Sequence, residues 1–231
     1  MLQVSTIRAI TLDLDDTLWP IGPTIQRAEE ALARWLAGHA PRTASLFADA
    51  EQRRQVREQL VRGRPDLGHD LSALRRESIR LGLRQCGEDT ALAEPAFEVF
   101  FAERMRVELF ADARAALARL SARYPVVALS NGNADVGRVG IGEFFTASIS
   151  ARECGFAKPD ARIFQAAAAA VGLAPHQVLH VGDDPQLDVL GGLQAGMQVV
   201  WVNRQQHDWP HAAQPHGHVA DLHALCRLLA V

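Results

Sequence analysis

Residues 7 to 17 read IRAITLDLDDT, and this short stretch decides the fold class. Its first part, IRAITLDL (7–14), is a nearly continuous apolar run that ends abruptly in acidic residues. A run of this kind is typical of a strand buried on both faces of a parallel sheet. Comparable runs follow later in the chain: VVALS (126–130), the weaker TASISA (146–151), QVLHVGD (177–183) and QVVWV (198–202).

Helix-like segments separate these later runs. DARAALARLSARY (112–124) and DARIFQAAAAAVGL (160–173) repeat apolar residues at helical spacing, and each begins with an aspartate that we expect to cap a helix. LDVLGGLQAG (187–196) is a third such segment and ends in glycine. Regular alternation of strands and helices predicts a doubly wound parallel α/β sheet.

The connection after the first strand is much longer than a simple crossover requires. Between Trp19 and Tyr124 no strand pattern occurs, and four amphipathic segments begin near residues 24, 45, 71 and 94. We therefore predict an inserted all-α domain at 20–106. The α/β core then comprises residues 1–19 and 107–231.

Composition excludes several classes of protein. A length of 231 residues and a hydrophobic content of 48% are sufficient for a large core, and a net charge of -3 gives no reason to expect nucleic acid as a partner. No run approaches the ~18 apolar residues of a membrane span. Three widely spaced cysteines indicate reduced thiols, so we expect a cytoplasmic protein. We separately expect a monomer or a weak homodimer.

Polar groups end each strand-like run of the core. Since the carboxyl ends of parallel strands share one edge of a sheet, these groups are expected to converge on one crevice. They are Asp13, Asp15, Asp16 and Thr17 after the first strand, Ser130, Asn131 and Gly132 after the second, Lys158 after the third, and Asp183, Asp184 and Asp188 after the fourth.

Lys158 is the single lysine among 24 residues of lysine and arginine. Chance could explain one lysine in an arginine-rich chain. However, lysine carries a compact ammonium on a flexible stem, whereas arginine carries a wide planar fork. A site that needs a point charge in a narrow space would keep lysine, and its position in KPD (158–160) favours that explanation.

A cluster of carboxylates repels itself, and one ammonium does not neutralise it. A hard divalent cation with oxygen ligands is the natural complement, and Mg²⁺ prefers one or two carboxylates together with water and phosphate oxygens. Asp13 and Asp15 lie two residues apart, so on an extended backbone they point to the same side. One can attack phosphorus to form an aspartyl-phosphate while the other transfers protons. Lys158, the metal and Ser130 would hold the phosphoryl oxygens.

This constellation resembles the haloacid dehalogenase-like hydrolase superfamily, whose members are mostly Mg²⁺-dependent phosphatases. DLDDT, Ser130, KPD and GDD with Asp188 look like its four motifs, in order, and the insertion lies where that family places its type-1 cap. SNGNADVGRVGIGEFF, LHVGDDPQLDVLGG and PDLGHDLSALRRESI are similar to a bacterial subgroup of flavin mononucleotide and 5-amino-6-(5-phosphoribitylamino)uracil phosphatases, which act in riboflavin biosynthesis.

The resemblance implies a role for each matching position. Asp13 would be the nucleophile and Asp15 the acid/base, while Ser130 and Lys158 bind phosphate. Mg²⁺ would bind Asp13, the backbone carbonyl of Asp15, and the GDD motif. The remaining expected residues are Asp183 and Asp184 at the metal, Thr17 and Asp188 in support, and Asn131, Gly132, Arg75 and Arg76 at the substrate, a small phosphorylated metabolite.

Several alternatives stay open from the sequence. A phosphomutase would use the same four motifs, and a phospho-receiver signalling protein uses similar groups in a different order without a helical insertion. A dehalogenase is disfavoured because that branch needs no Mg²⁺ and lacks the second acid that Asp15 supplies. The arginine-rich segment around Arg75 is either a solvated face or a lid over an anionic substrate. Trp19 either packs beneath the cap or stacks on a substrate ring.

Overall fold

The computed structural model of the protein describes residues 1–231, and its centre is a six-stranded parallel sheet. The strands are β1 (Ala9–Leu12), β2 (Val126–Ser130), β3 (Ala147–Ser150), β4 (Val178–Gly182), β5 (Gln198–Val202) and β6 (Gly217–Val219). Their order across the sheet is β3-β2-β1-β4-β5-β6, and every neighbouring pair is parallel. The predicted parallel α/β fold with a helical insertion is confirmed.

Strand β1 lies in the middle of the sheet, between β2 and β4. All four of its residues are buried, as its continuous apolar pattern predicts. Leu12 is in register with Ala128 of β2 and with Val181 of β4. The carboxyl ends of these three strands therefore lie side by side, and this places the residues that follow them at one edge of the sheet.

The chain divides into two compact units, one of residues 21–107 and one of residues 1–20 and 108–231. The first unit is helical: α1 (Ile21–His39), α2 (Pro41–Ala48), α3 (Ala50–Gly63), α4 (Leu71–Gln85) and α5 (Ala93–Arg104). Its apolar core includes Leu32, Leu36, Ile79 and Phe97. Gly82 allows α4 to approach α2, since a Cβ there would lie 2.7 Å from the ring of Phe47.

The second unit contains the sheet and the remaining helices, α6 (Ala113–Arg123), α7 (Val136–Val139), α8 (Ala151–Cys154), α9 (Ala161–Ala169), α10 (Gly191–Gln194) and α11 (Leu222–Leu229). A single π-helical turn, Pro185–Leu190, follows β4. Helix α9 buries Ile163 and Phe164 against sheet residues such as Val127 and Leu129. The apolar residues of α9, which recur at helical spacing, thus cover one face of the sheet.

The structure differs from the sequence analysis in three local features. The amphipathic segment predicted to begin near residue 45 is divided between two helices, because the Asp49 carboxylate accepts hydrogen bonds from the amides of Glu51 and Gln52 and starts a new helix there. Strand β6 was not predicted. Asp112 precedes α6 but does not cap it; its carboxylate instead binds Arg204 and the amide of Leu222.

No helix has the length and apolar character needed to cross a membrane.

Candidate active site

The loop after β1 holds the first group of predicted site residues in a compact turn. The amide of Asp13 donates to the carbonyl of Val181 at 2.9 Å, so the pairing with β4 continues to this residue. The amide of Leu18 then donates to the carbonyl of Leu14 at 2.8 Å. Asp16 takes a left-handed backbone conformation, with φ of 60°. Asp13 therefore sits at the very end of β1, with only 6% of its surface exposed.

Two side chains of the same loop hold carboxylates of the site. The indole Nε1 of Trp19 donates to Oδ1 of Asp15 at 2.8 Å. The hydroxyl of Thr17 donates to Oδ1 of Asp183 at 3.0 Å. Trp19 is completely buried, so its ring packs in the interior, and its N–H binds a predicted catalytic residue.

Lys158 reaches into the same region from the segment after β3, and 5% of its surface is exposed. Its ammonium donates to Oδ1 of Asp13 and, at 2.6 Å, to Oδ1 of Asp188. The side chain of Asn131 binds the backbone of Lys158 on both sides, accepting from its amide at 2.7 Å and donating to its carbonyl at 2.9 Å. Asn131 thereby fixes the position from which the lysine extends.

Ser130 ends β2 and is nearly buried, with 5% of its surface exposed. Its hydroxyl oxygen accepts a hydrogen bond from the amide of Gly132 at 2.9 Å. Accepting this bond uses a lone pair of the oxygen and leaves the O–H proton available for donation. Ser130 and Gly132 thus form a small turn at the carboxyl end of β2, beside the end of β1.

Asp188 accepts hydrogen bonds from three groups of the site. Besides Lys158, it accepts from Nε2 of His180 at 3.0 Å and from the amide of Asp184 at 3.0 Å. Space for it depends on Gly182, because a Cβ at that position would lie 2.3 Å from Cγ of Asp188. A glycine at the end of β4 is therefore a requirement of the site.

Oxygen atoms of Asp13, Asp183 and Asp188 all lie within 4.8 Å of one another. Burial raises the pKa of Asp13 well above its ordinary value, against the opposing charge of Lys158. Burial and the charge of Asp188 raise the pKa of Asp183 to about 7. Two carboxyl groups of the cluster therefore favour either a proton or a cation. Since hard oxygen donors at this spacing are what Mg²⁺ prefers, the residues present fit a divalent cation.

Lys158 and Asp188 form the ionised pair of the cluster. Burial opposes both charges, but the ammonium of Lys158 lowers the pKa of Asp188 far below its usual range. In turn, Asp13 and Asp188 raise the pKa of Lys158 despite its burial. His180 is fully buried, and burial lowers its pKa. The neutral ring then donates from Nε2 to Asp188, and its Nδ1 accepts from the hydroxyl of Thr11 at 2.9 Å.

Three predicted site residues have other contacts. The carboxylate of Asp184 accepts from the amides of Gln186 and Leu187 and caps the π-helical turn, so Asp188 stands in the carboxylate cluster where Asp184 was expected. In the helical unit, Arg75 pairs with Glu29 at 2.6 Å, and Arg76 pairs with Glu94 at 2.9 Å. Substrate contact by these two arginines stays a prediction.

Two residues of the site were missed in the sequence. His180 lies in the apolar run of β4, where its polarity was the available signal. Trp201 lies in β5, and its indole Nε1 donates to the backbone carbonyl of Asp183 at 2.7 Å. Its ring packs edge-on against Trp209, with centroids 5.1 Å apart. Asp183 is thus held through its carboxylate by Thr17 and through its backbone by Trp201.

The fold and the acidic site together define the class of this protein: a parallel α/β fold with a cluster of buried carboxylates at the carboxyl edge of its sheet and a helical unit inserted in the chain after β1. Within that class the chain belongs to the haloacid dehalogenase-like hydrolases, because the model of that family matches residues 7–196. The family predicted from the motifs is therefore confirmed.

Individual relatives cover nearly the whole chain. It is 30% identical over 231 residues to the 5-amino-6-(5-phospho-D-ribitylamino)uracil phosphatase YigB of Escherichia coli, with 96% of each chain covered. It is 32% identical over 240 residues to a phosphoserine phosphatase of Thermus thermophilus, covering 94% of this chain and 96% of that one. A solved structure described as a 2-haloacid dehalogenase of Pseudomonas syringae is 35% identical, with a TM-score of 0.92 and 97% of this chain and 98% of that chain covered.

Proposed function

We propose that the protein is a Mg²⁺-dependent phosphatase that hydrolyses a small phosphate monoester through a phosphorylated Asp13. Membership in the hydrolase family and the two phosphatase relatives confirm the coarser prediction, a phosphoric monoester hydrolase. The observation that carries the finer proposal is the buried contact of Asp13 with Lys158, inside a cluster whose other carboxylates are Asp183 and Asp188.

In the first step, a carboxylate oxygen of Asp13 attacks phosphorus, and the bond from phosphorus to the leaving oxygen breaks. Asp15, protonated at this stage, gives its proton to the leaving alkoxide, so that a neutral alcohol departs. The ammonium of Lys158 and the hydroxyl of Ser130 donate to the phosphoryl oxygens as their charge changes. Ser130 ends β2, which lies next to β1, and Lys158 reaches Asp13 from the segment that follows β3.

In the second step, Asp15 acts as the base. It takes a proton from a water molecule, the water oxygen attacks phosphorus, and the bond between phosphorus and Asp13 breaks. Inorganic phosphate leaves, Asp13 is again a carboxylate, and Asp15 is again protonated for the next cycle. Asp15 therefore has to lie close to both the leaving oxygen and the water, which requires a fixed side-chain position.

Asp13, Asp183 and the backbone carbonyl of Asp15 would hold the Mg²⁺ ion. When bound, it supplies positive charge that offsets the repulsion among the carboxylates and the phosphate. Asp188 is better suited to holding Lys158, because its oxygens already accept from Lys158, His180 and the amide of Asp184. The proposed ligand set keeps Asp13, Asp183 and the backbone carbonyl of Asp15 and leaves out Asp184, which caps the π-helical turn instead.

The substrate proposal rests on the relatives. The Escherichia coli protein is named for 5-amino-6-(5-phospho-D-ribitylamino)uracil, and this compound or flavin mononucleotide is our first candidate substrate. Phosphoserine is the second, from the name of the Thermus thermophilus protein. We further propose that the helical insertion, predicted at 20–106, acts as a cap that selects the leaving group. The partner is then a small phosphorylated metabolite.

One relative favours a second candidate function. The Pseudomonas syringae structure is described as a 2-haloacid dehalogenase. A screen of phosphate monoesters and of 2-chloropropionate, with Mg²⁺ and with EDTA, separates the two. Release of phosphate that stops with EDTA, without release of chloride, supports the phosphatase. Release of chloride alone would overturn it, and a requirement for a sugar-bisphosphate primer would indicate a phosphomutase.

A further inference from the structure

We propose that Trp19 is a positioning residue for the reaction: its indole N–H holds the carboxyl group of Asp15 where it exchanges protons with the leaving oxygen and with water. The inference rests on the proposed function, since it concerns the acid/base of that reaction. Trp19 donates to Oδ1 of Asp15 at 2.8 Å, and its ring is completely buried.

The local backbone makes this contact a fixed one. The amide of Asp16 donates to the carbonyl of Trp19 at 2.7 Å, and residues 15 and 19 form an isolated β-bridge. The turn that separates the two residues is therefore closed by backbone bonds at the point where the side chains meet. Because the buried ring occupies one place in the core, its N–H points at one place in the site.

The chemistry of the donor favours a role beyond packing. An indole N–H can only donate, and a buried tryptophan usually satisfies it with whatever acceptor is near, most simply a backbone carbonyl. Trp201 and Trp209 do so in this protein, with the carbonyls of Asp183 and Ala213. Trp19 instead binds the side chain that the reaction uses, and this bond restricts the rotation of that side chain.

Phenylalanine in place of Trp19 removes the N–H and keeps an apolar ring, so it tests this role. The kcat/KM should fall about tenfold or more for an alkyl phosphate, whose alkoxide needs the proton of Asp15. It should change much less for 4-nitrophenyl phosphate, whose leaving group departs unprotonated. The alkyl substrate is whichever of flavin mononucleotide, phosphoserine and glycerol 2-phosphate the wild type hydrolyses fastest. Trp209→Phe, which loses an indole bond to a carbonyl, should leave both rates unchanged.

A double-mutant cycle separates this inference from the proposed function. In an Asp15→Asn background, Trp19→Phe should have little further effect on the alkyl substrate, because the group it positions is absent. An equal loss in both backgrounds, or an equal loss on both substrates, would overturn the positioning role. If Asp15→Asn itself has the wild-type kcat/KM, the proposed function fails instead.

A measurement on the wild-type side chain covers the case in which Trp19→Phe does not fold. The chain has four tryptophans, so their indole N–H resonances can be assigned in a ¹⁵N correlation spectrum from Phe variants of the other three. Asp15→Asn should shift the Trp19 resonance, because its acceptor changes from a carboxylate to an amide, and should leave that of Trp209 in place. An unmoved Trp19 resonance would overturn the inference.

Discussion

Replacing Lys158 by arginine tests whether the site needs a compact ammonium or only a positive charge. The ammonium contacts Asp13 and lies 2.6 Å from Asp188, and the whole residue is 5% exposed. A guanidinium is longer, planar and wider, and it cannot place a single donor between these two oxygens. Forcing extra volume into a packed interior costs about 1–3 kcal/mol, so we expect the arginine variant to fold with reduced stability.

In free-energy terms, Lys158→Arg should affect catalysis more than it affects the stability of the fold. Loss of one preorganised hydrogen-bond donor typically lowers kcat by about 10²–10³, roughly 2.7–4 kcal/mol in activation free energy, and we expect Lys158→Arg to lose at least ~10²-fold. Lys158→Met should lose as much activity as Lys158→Arg, and it should be less stable than that variant. It leaves the Asp13 and Asp188 carboxylates without their cation, and breaking a buried ion pair costs about 3–5 kcal/mol.

The assay compares kcat for 4-nitrophenyl phosphate at saturating Mg²⁺ with the free energy of unfolding in urea. Arg162→Lys is the matched control, because Arg162 makes an exposed ion pair with Asp160 at 2.7 Å and should tolerate the exchange. A Lys158→Arg variant with wild-type kcat would refute the reasoning. The lone lysine would then be an accident of composition.

Three further predictions concern the rest of the site and the helical unit. Since the pKa of Asp183 is about 7 in the folded protein and ~3.9 when unfolded, the folded state holds the extra proton between these values. This contribution to stability is lost as pH rises through 7, so the increase in Tm that Mg²⁺ gives over EDTA should be larger at pH 8 than at pH 5.5. The same increase at both pH values, or the same increase in the Asp183→Asn variant as in the wild type, would contradict this. Gly182→Ala should lower kcat by at least ~10-fold in the phosphatase assay, because the Cβ of the alanine would displace the Asp188 carboxylate. Circular dichroism should show that the helical unit stays folded, and a wild-type kcat would contradict the prediction. Arg75→Gln should change kcat/KM for the metabolite phosphates more than for 4-nitrophenyl phosphate, with Glu29→Gln as the control that breaks the same ion pair from its other end; a uniform loss would mean a structural role.

The fold could be predicted because its signal is local and repeated. Four of the six strands are continuous apolar runs, and such runs have few alternatives to a buried parallel sheet. Strand β6 has three residues, GHV (217–219), and its pairing with β5 is a tertiary contact that no short pattern reveals. Asp112 has the sequence position of a helix cap, but Arg204, 92 residues later, takes its carboxylate instead.

The candidate site, too, could be predicted from the sequence only in part. Parallel strands that end at one edge of the sheet predict that Asp13 and Lys158 lie at the same edge. Side-chain direction does not follow from strand order. The choice between Asp184 and Asp188 depends on a π-helical turn and on the missing Cβ of Gly182, and neither leaves a pattern in the sequence. The Trp19 contact was likewise hidden, because a tryptophan beside an acidic motif has many places to pack.

The central claim is that Asp13 carries the phosphoryl group. It is tested most directly in the Asp15→Asn variant, which can still accept phosphate from 4-nitrophenyl phosphate but lacks the base that removes it. After rapid quenching, borohydride reduces an aspartyl-phosphate to homoserine, and mass spectrometry of the peptide that contains residues 9–19 locates it. We predict homoserine at position 13 only when substrate and Mg²⁺ are both present. Homoserine at position 16, or an unmodified peptide during continued release of nitrophenol, would contradict the account.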